Sequence, residues 1–505
     1  MSYLGIDVGT SGCKAGRFDA RGSLLALAYC EYPLITPRIG WAEIDSATVC
    51  QSCIEAIREA AAGGPTDPVA ALAISSQGEA FTPVAADDAY LGNGMVSFDV
   101  RSEPFVAEFS RKFGSERLYQ LTGHTSHTMF TLFKLLWLRR YRPEVWRAAA
   151  KFYCFEELLQ RRLGIEPAIS WPLAGRTMLF NVRTHQWEEE ILSAIPLEAC
   201  RLARPAASGT VVGTISPGVA VELGLPRGVV VVSGGHDQPC GALGAGIVEP
   251  GMAMYSTGTT ECICPLFQRP VFHEDLFRSN LCTYDSAIPG TYTTVAFSLT
   301  GGNLLTWFRD QWCQAEIQEA ARTGDDPYEV ILRGMESEPT DLFVLPYFTT
   351  SGTPYCDPQV PGAILGLRLS TTRGQILRAL LEGVALEMRQ NVELLARVGL
   401  MVRQFRAIGG GAKSLALTQL KADVLGRPVT TLAVTEAACL GAAMLACAGH
   451  TGAQVRELAG DWVKTTRVVE PDPRRAALYA TRFAAHRQLY PTVRGFYAGL
   501  GAGRD

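Results

Sequence analysis

Short apolar runs alternate with longer, helix-like segments along the chain, which predicts an α/β architecture. Strands are predicted over 69–75, 228–233, 342–345 and 405–408, and helices over 46–62, 132–140, 374–396 and 415–425. The opening run, 3–8, is apolar except for Asp7; the turn Gly9-Thr10-Ser11-Gly12 follows, and the chain returns as a second strand through 15–18. Beyond the turn-like segment 247–251, Met252-Ala-Met-Tyr-Ser-Thr-Gly-Thr-Thr-Glu-Cys-Ile-Cys repeats strand, Gly/Thr turn and strand, without the aspartate or the lysine. Two such hairpins predict a duplicated fold with halves 1–247 and 248–505 and a ligand clamped between them.

The first hairpin also carries chemistry. Its glycines admit positive φ and let backbone N–H groups approach a ligand. Asp7, the hydroxyls of Thr10 and Ser11, and Lys14 stand at a spacing that suits metal-bound polyphosphate. In that reading Asp7 holds Mg²⁺ through water, the hydroxyls bond phosphate oxygens and Lys14 supplies charge. The alternative is an ordinary tight hairpin, for which Asp7 is an odd choice because a lone buried carboxylate is costly. Gly258 and Thr259 lie in the weaker second turn. A third cluster, Ala407-Ile-Gly-Gly-Gly-Ala-Lys-Ser-Leu, follows a predicted strand and opens a helix near Ser414, where backbone and helix N-terminus can approach phosphate. It is not the GxGxxG dinucleotide fingerprint, and no Walker lysine motif is present.

Composition narrows the class. With 505 residues, 47% apolar and 19% charged, the chain has the makings of at least two globular domains. A net charge of −4 with scattered basic residues argues against a nucleic-acid partner. Asp7 interrupts any signal-peptide pattern, and no apolar run is long enough to span a bilayer, so a cytoplasmic protein with no membrane partner is expected. The fourteen cysteines are expected as reduced thiols, since Cys50-x-x-Cys53 and Cys262-x-Cys264 have no matching pair at zinc-ligand spacing. His124 and His127 are expected to be surface or packing residues.

These motifs resemble those of the FGGY carbohydrate kinases, relatives of glycerol kinase, xylulokinase and gluconokinase in the actin and sugar-kinase superfamily. The opening hairpin is similar to the family's first phosphate loop, 256–261 to its second, and 409–413 to its adenosine motif. Met129-x-Thr131-x-x-Lys134-Leu-x-Trp137-Leu fits one family signature except at Tyr141. Gly362-x-Ile364-x-Gly366-Leu367 with Gln375-Ile376-x-x-Ala379-Leu380-Leu381-Glu382 fits the second throughout. The resemblance implies two actin-like (ribonuclease H-like) α/β domains with a cleft between them, ATP and Mg²⁺ as cofactors, and a small sugar or polyol as acceptor. It places Gly258, Thr259, Gly302, Asn303, Gly410, Gly411 and Ala412 with Thr10, Ser11 and Lys14 at the nucleotide, and Asp7 at the metal.

In Ser233-Gly-Gly-His-Asp-Gln-Pro-Cys-Gly the resemblance makes Asp237 the base that takes the proton of the attacking hydroxyl. A carboxylate in a glycine-opened loop after a buried strand suits that task, although Asp237 also suits a helix cap. Gln77, Glu79 and Asp99 are the implied acceptor residues, with Arg101 either beside the acceptor or paired to Asp99. Gly78-Glu79-Ala80 departs from the Met-His-Gly of xylulokinases and lacks the arginine of the glycerol-kinase Arg-Glu pair, while Ser170 stands where an aspartate is common. The resulting expectation is a kinase for a pentulose such as xylulose. The alternatives are a polyol or another ketose (glycerol-, erythritol-, fuculose- or gluconate-type acceptor), or a chaperone-like ATPase or sugar sensor. A homodimer is carried as the assembly to test.

Overall fold

The computed structural model describes residues 1–62 and 67–501. Its frame is two six-stranded sheets, one in each half. The first runs in the order Val211–Thr214, Val230–His236, Val69–Ser76, Ser2–Val8, Gly12–Asp19 and Leu24–Glu31. The second runs Thr465–Val469, Val429–Leu432, Gln404–Ile408, Met252–Thr257, Glu261–Pro265 and Ala296–Ser298. Read from the same edge, both have an antiparallel edge strand, three parallel strands and two antiparallel ones. The duplication read from two hairpins therefore extends through every strand of the sheets. One difference breaks it: the parallel strands' edge partner precedes its neighbour in the chain in the first half and follows it in the second.

The central strands are apolar on both faces, as strands covered by helices on each side must be. On one face of the first sheet Leu4, Ile6 and Val8 pack with Ile54 and Ile57 of the helix Ser46–Ala61, whose inward side also buries Cys50 and Cys53. All fourteen cysteines are free thiols. On the other face Tyr3, Phe18, Ala71, Ala73 and Val232 pack with Cys439, Leu440, Ala442, Ala443 and Met444. These last belong to Ala437–Thr451, a helix from the second half of the chain. It is apolar all round, the composition of a helix buried on every side. It lies so close to the first strand that a Cβ on Gly5 would sit 1.7 Å from the Cys439 carbonyl oxygen.

The same helix crosses Asp237–Gly244, which continues directly from Val230–His236. Glycines make the crossing possible: a Cβ on Gly441 would lie 2.0 Å from the Cys240 carbonyl oxygen, and one on Gly244 would lie 1.8 Å from that of Ala437. Elsewhere the predicted elements stand within a few residues of their expected bounds, for example Arg373–Arg397, whose N-terminus is closed by a Thr372–Gln375 capping box. Among the described residues no helix is long and apolar enough to cross a membrane.

Candidate active site

The two hairpin turns and the carboxyl ends of the parallel strands frame one cleft. In the first turn the register sets Asp7 opposite Lys14 on one side and Ser75 on the other. Ser75 Oγ donates to Asp7 Oδ1 at 2.8 Å. Burial raises the Asp7 pKa and Glu436 adds to it, while Ser75 and Lys14 oppose them. Lys14 Nζ donates to Glu436 Oε2 at 2.6 Å. Burial alone would depress the Lys14 ammonium, but that carboxylate outweighs it and holds the pKa above the usual lysine range. Glu436 is the N-cap residue of the helix Ala437–Thr451, so the pair ties the first turn to the second half.

Gln77, expected on the acceptor, is placed against the first turn. Its Nε2 donates to the Gly9 carbonyl at 2.8 Å, and its Oε1 accepts from Thr10 Oγ1 at 3.3 Å. Tyr32 donates to the same carbonyl at 2.6 Å, leaving Ser11 exposed at the tip.

The second turn meets the helix Gly302–Trp312 end-on. Gly302 N donates to Gly258 O at 2.9 Å and Asn303 N to Thr259 O at 3.1 Å. Thr257 Oγ1 donates to Ile408 O at 2.9 Å, joining this turn to the third glycine cluster, where Gly409 is held at φ 88°. A cavity of about 390 Å³ results, lined among others by Gly258, Thr259, Gly302, Tyr328, Gly410 and Gly411. A neighbouring cavity of about 460 Å³ is lined by Lys14, Gly410, Ala412, Lys413 and Glu436. The Asn303 side chain lines neither: Oδ1 accepts from Gly301 N and Nδ2 donates to Leu299 O, so its amide shapes the loop.

Facing these loops, Glu79 has φ 66°, a left-handed conformation rare for a residue with a side chain. The signature residues Thr131 and Lys134 explain how it is held. Thr131 Oγ1 and Lys134 Nζ both donate to the Glu79 carbonyl, at 2.9 and 3.4 Å. Burial pushes the Lys134 ammonium down to about 8. The buried Glu79 carboxylate pairs with the Arg176 guanidinium. Sequence reasoning passed over Arg176, although a lone arginine between Leu173 and Phe180 in an apolar stretch is a usable signal. Glycine at position 78 makes room chiefly for the His236 ring, which a Cβ would approach to 3.0 Å, with Arg176 Cβ next at 3.4 Å.

Asp237 opens its helix at the first helical position, with His236 at the cap. His236 Nε2 is 3.1 Å from Asp237 Oδ1, yet that oxygen is buried without a hydrogen bond. Burial first, then the Asp7 and Glu79 charges, push the Asp237 pKa up to about 7. His236 is held neutral by burial and by Arg176, and its Nδ1 pairs with Tyr284 Oη at 3.0 Å.

Models of the FGGY family of carbohydrate kinases match the chain twice, the N-terminal domain over 2–244 and the C-terminal domain over 253–450. The chain belongs to this family. As an FGGY carbohydrate kinase it uses ATP. It is 27% identical to a xylulose kinase of Bacillus subtilis over 507 aligned residues, covering 99% of both chains. A gluconokinase of the same organism is also 27% identical, over 88% of this chain and 86% of the other. The crystal structure of a xylulose kinase from Rhodospirillum rubrum superposes with a TM-score of 0.89 at 26% identity, covering 99% of this chain and 100% of that one.

A further site expectation for this kinase needs correction. Asp99, expected at the acceptor, is fully buried and occupied within the fold: its carboxylate accepts from Arg101 Nε and Nη2 and from Ala42 N. Arg101 also pairs with Glu43 at 2.7 Å and stacks 3.8 Å over the Trp41 ring, so the two residues form a structural knot. His124, expected as a surface or packing residue, is a packing residue, completely buried against Phe130 and Tyr284.

Proposed function

We propose that this kinase transfers the γ-phosphoryl group of ATP to a hydroxyl of a pentulose such as xylulose, with Asp237 as general base. The observation that carries the reading is the half-buried Asp237 carboxylate, whose Oδ1 is enclosed without a hydrogen bond and whose pKa is pushed up to about 7. A base of that pKa at neutral pH can accept the acceptor proton as the new O–P bond forms and the bond to the departing ADP oxygen breaks. The Asp7 carboxylate carries a charge that Lys14 and Ser75 only partly answer, which fits its assignment to Mg²⁺ held through water. When bound, the ion would neutralise charge on the phosphates. Thr10, Ser11, Lys14 and Thr259 are assigned to the phosphates, and Gly302 and the 410–412 backbone to the nucleoside. Domain closure over the cleft would exclude water and limit wasteful hydrolysis. The cytoplasm, where ATP and reduced thiols are supplied, is the proposed location.

A polyol acceptor is the second reading. It is favoured by the Arg176–Glu79 pair, which rebuilds from a distant segment the arginine–glutamate pair that glycerol kinases carry in sequence. An ATP-consumption screen over pentuloses, hexuloses, aldonates and polyols decides between the two, and inactivity on all of them would leave the sugar-sensing alternative. Asp237→Asn should lower kcat at least ~10²-fold with little change in ATP binding. A folded variant that kept wild-type kcat would remove Asp237 from the mechanism.

A further inference from the structure

Between the halves lies a small cavity of about 50 Å³ that the proposed mechanism does not use. The first half contributes His124, His127 and Arg176 to its wall, and the second half Asn280, Cys282 and Cys356. His124 is fully buried, and neither ring nitrogen has a hydrogen-bond partner. Such an orphaned group needs an explanation, because buried polar atoms are nearly always paired. Packing against Phe130 and Tyr284, with ring centroids 4.9 and 5.3 Å away, accounts for the ring but not for its nitrogens. Burial and the nearby Arg176 charge keep the imidazole neutral, so it offers one donor and one acceptor, the complement of a hydroxyl.

The opposite wall is unusual as well. Asn280 and Cys356 both hold left-handed backbone, at φ 54° and 48°, and Asn280 Nδ2 donates to the Pro354 carbonyl at 2.9 Å. Non-glycine residues kept in such conformations concentrate at ligand clamps. Arg176 joins the cavity to the acceptor loop, since it lines the one and pairs with Glu79 on the other.

We propose that this cavity receives the end of the acceptor remote from the phosphorylated hydroxyl, and that His124 reads the hydroxyl group there. The inference rests on the sugar-kinase reading and deepens it. A space of this size holds on the order of three waters, or a terminal hydroxymethyl group with its neighbour. A three-carbon polyol would leave it wet, whereas a five-carbon ketose would fill it.

The test measures Michaelis or inhibition constants for glycerol, erythrulose, xylulose, ribulose and fructose in the intact enzyme. His124→Phe keeps the ring and removes both nitrogens. It should raise KM for the five-carbon ketoses about tenfold, with kcat nearly unchanged and the glycerol constant unmoved. Cys356→Gly suits the left-handed backbone and enlarges the cavity, so it should shift preference from five-carbon towards six-carbon acceptors. Equal effects of His124→Phe on every acceptor, or none, would overturn the assignment. If that variant does not fold, an unchanged six- to five-carbon preference in Cys356→Gly overturns it alone. Inactivity of the wild-type enzyme on the whole panel would instead defeat the sugar-kinase reading, and the cavity assignment with it.

Discussion

Lys14 meets Glu436 at 2.6 Å, so in this structure the cation assigned to ATP is engaged by a protein carboxylate. A polyphosphate carries more negative charge than one carboxylate and can draw the ammonium away, loosening the tie between the first turn and the helix Ala437–Thr451. Lys14→Ala and Asp7→Asn should each lower kcat/KM for MgATP by about 10²-fold, since each removes charge complementarity at the phosphates. Acceptor binding measured calorimetrically without nucleotide should stay near wild type, and insoluble protein in both variants would mark the turn as structural. That Asp7, Lys14 and Asp237 gather at one cleft was legible because each stands in a contiguous motif, Asp7 and Lys14 by their spacing around a turn and Asp237 by its resemblance to a family segment. Arg176 and Glu436 were not, because their partners lie 97 and 422 positions away and no local pattern encodes such a pairing. Asp99 was misread for the complementary reason: a carboxylate two residues from an arginine looks the same whether it faces a ligand or that arginine.

Among the elements, strand and helix positions followed from periodicity, and the errors have particular causes. Val230–His236 runs three residues beyond its expected end because the register slips between Val232 and Gly235, which keeps the glycine segment in the sheet. Only a residue without a side chain fits at Gly234, where a Cβ would lie 1.8 Å from the Ile74 carbonyl oxygen. That slip delivers His236 and Asp237 to the cleft. The crossing of Asp237–Gly244 with Ala437–Thr451 is equally intolerant, because the atoms a new methyl would meet are backbone and cannot turn aside. Gly441→Ala should cost about 1–3 kcal/mol, read as a lower Tm in thermal unfolding. An unchanged Tm would show that the two helices separate freely. The sequence offered a helix after Asp237 but none over 437–451, and the crossing itself was not legible, since close approach of two helices is a property of the pair.

Over the whole molecule, buried carboxyl groups set a pH dependence. Burial pushes Glu156 up to about 7 and, with the Glu156 charge, Glu157 up to about 8, while Asp237 stands at about 7. The folded protein then retains protons that the unfolded chain has already released, so stability is present at lower pH and is lost as pH rises through 7 to 8. Each such group contributes at most about 1.4 kcal/mol per pH unit. His124, His127 and His236, all depressed by burial, act in the opposite sense, but only below their unfolded pKa of about 6.5. Tm should therefore decline between pH 6.5 and 8, and Glu157→Gln should flatten that decline; a Tm rising over the interval would contradict the assignment.

The helix Ala437–Thr451 has a consequence for how the protein is made. It supplies one covering face of a sheet whose first strand begins at Ser2. On the ribosome, strands 2–8, 69–76 and 230–236 emerge long before this helix does, and Tyr3, Ala71, Ala73 and Val232 stay uncovered until it arrives. The nascent chain thus carries an open apolar surface through most of its synthesis, a state that invites chaperone engagement or misassociation. A truncation anywhere before residue 437 leaves that surface open for good.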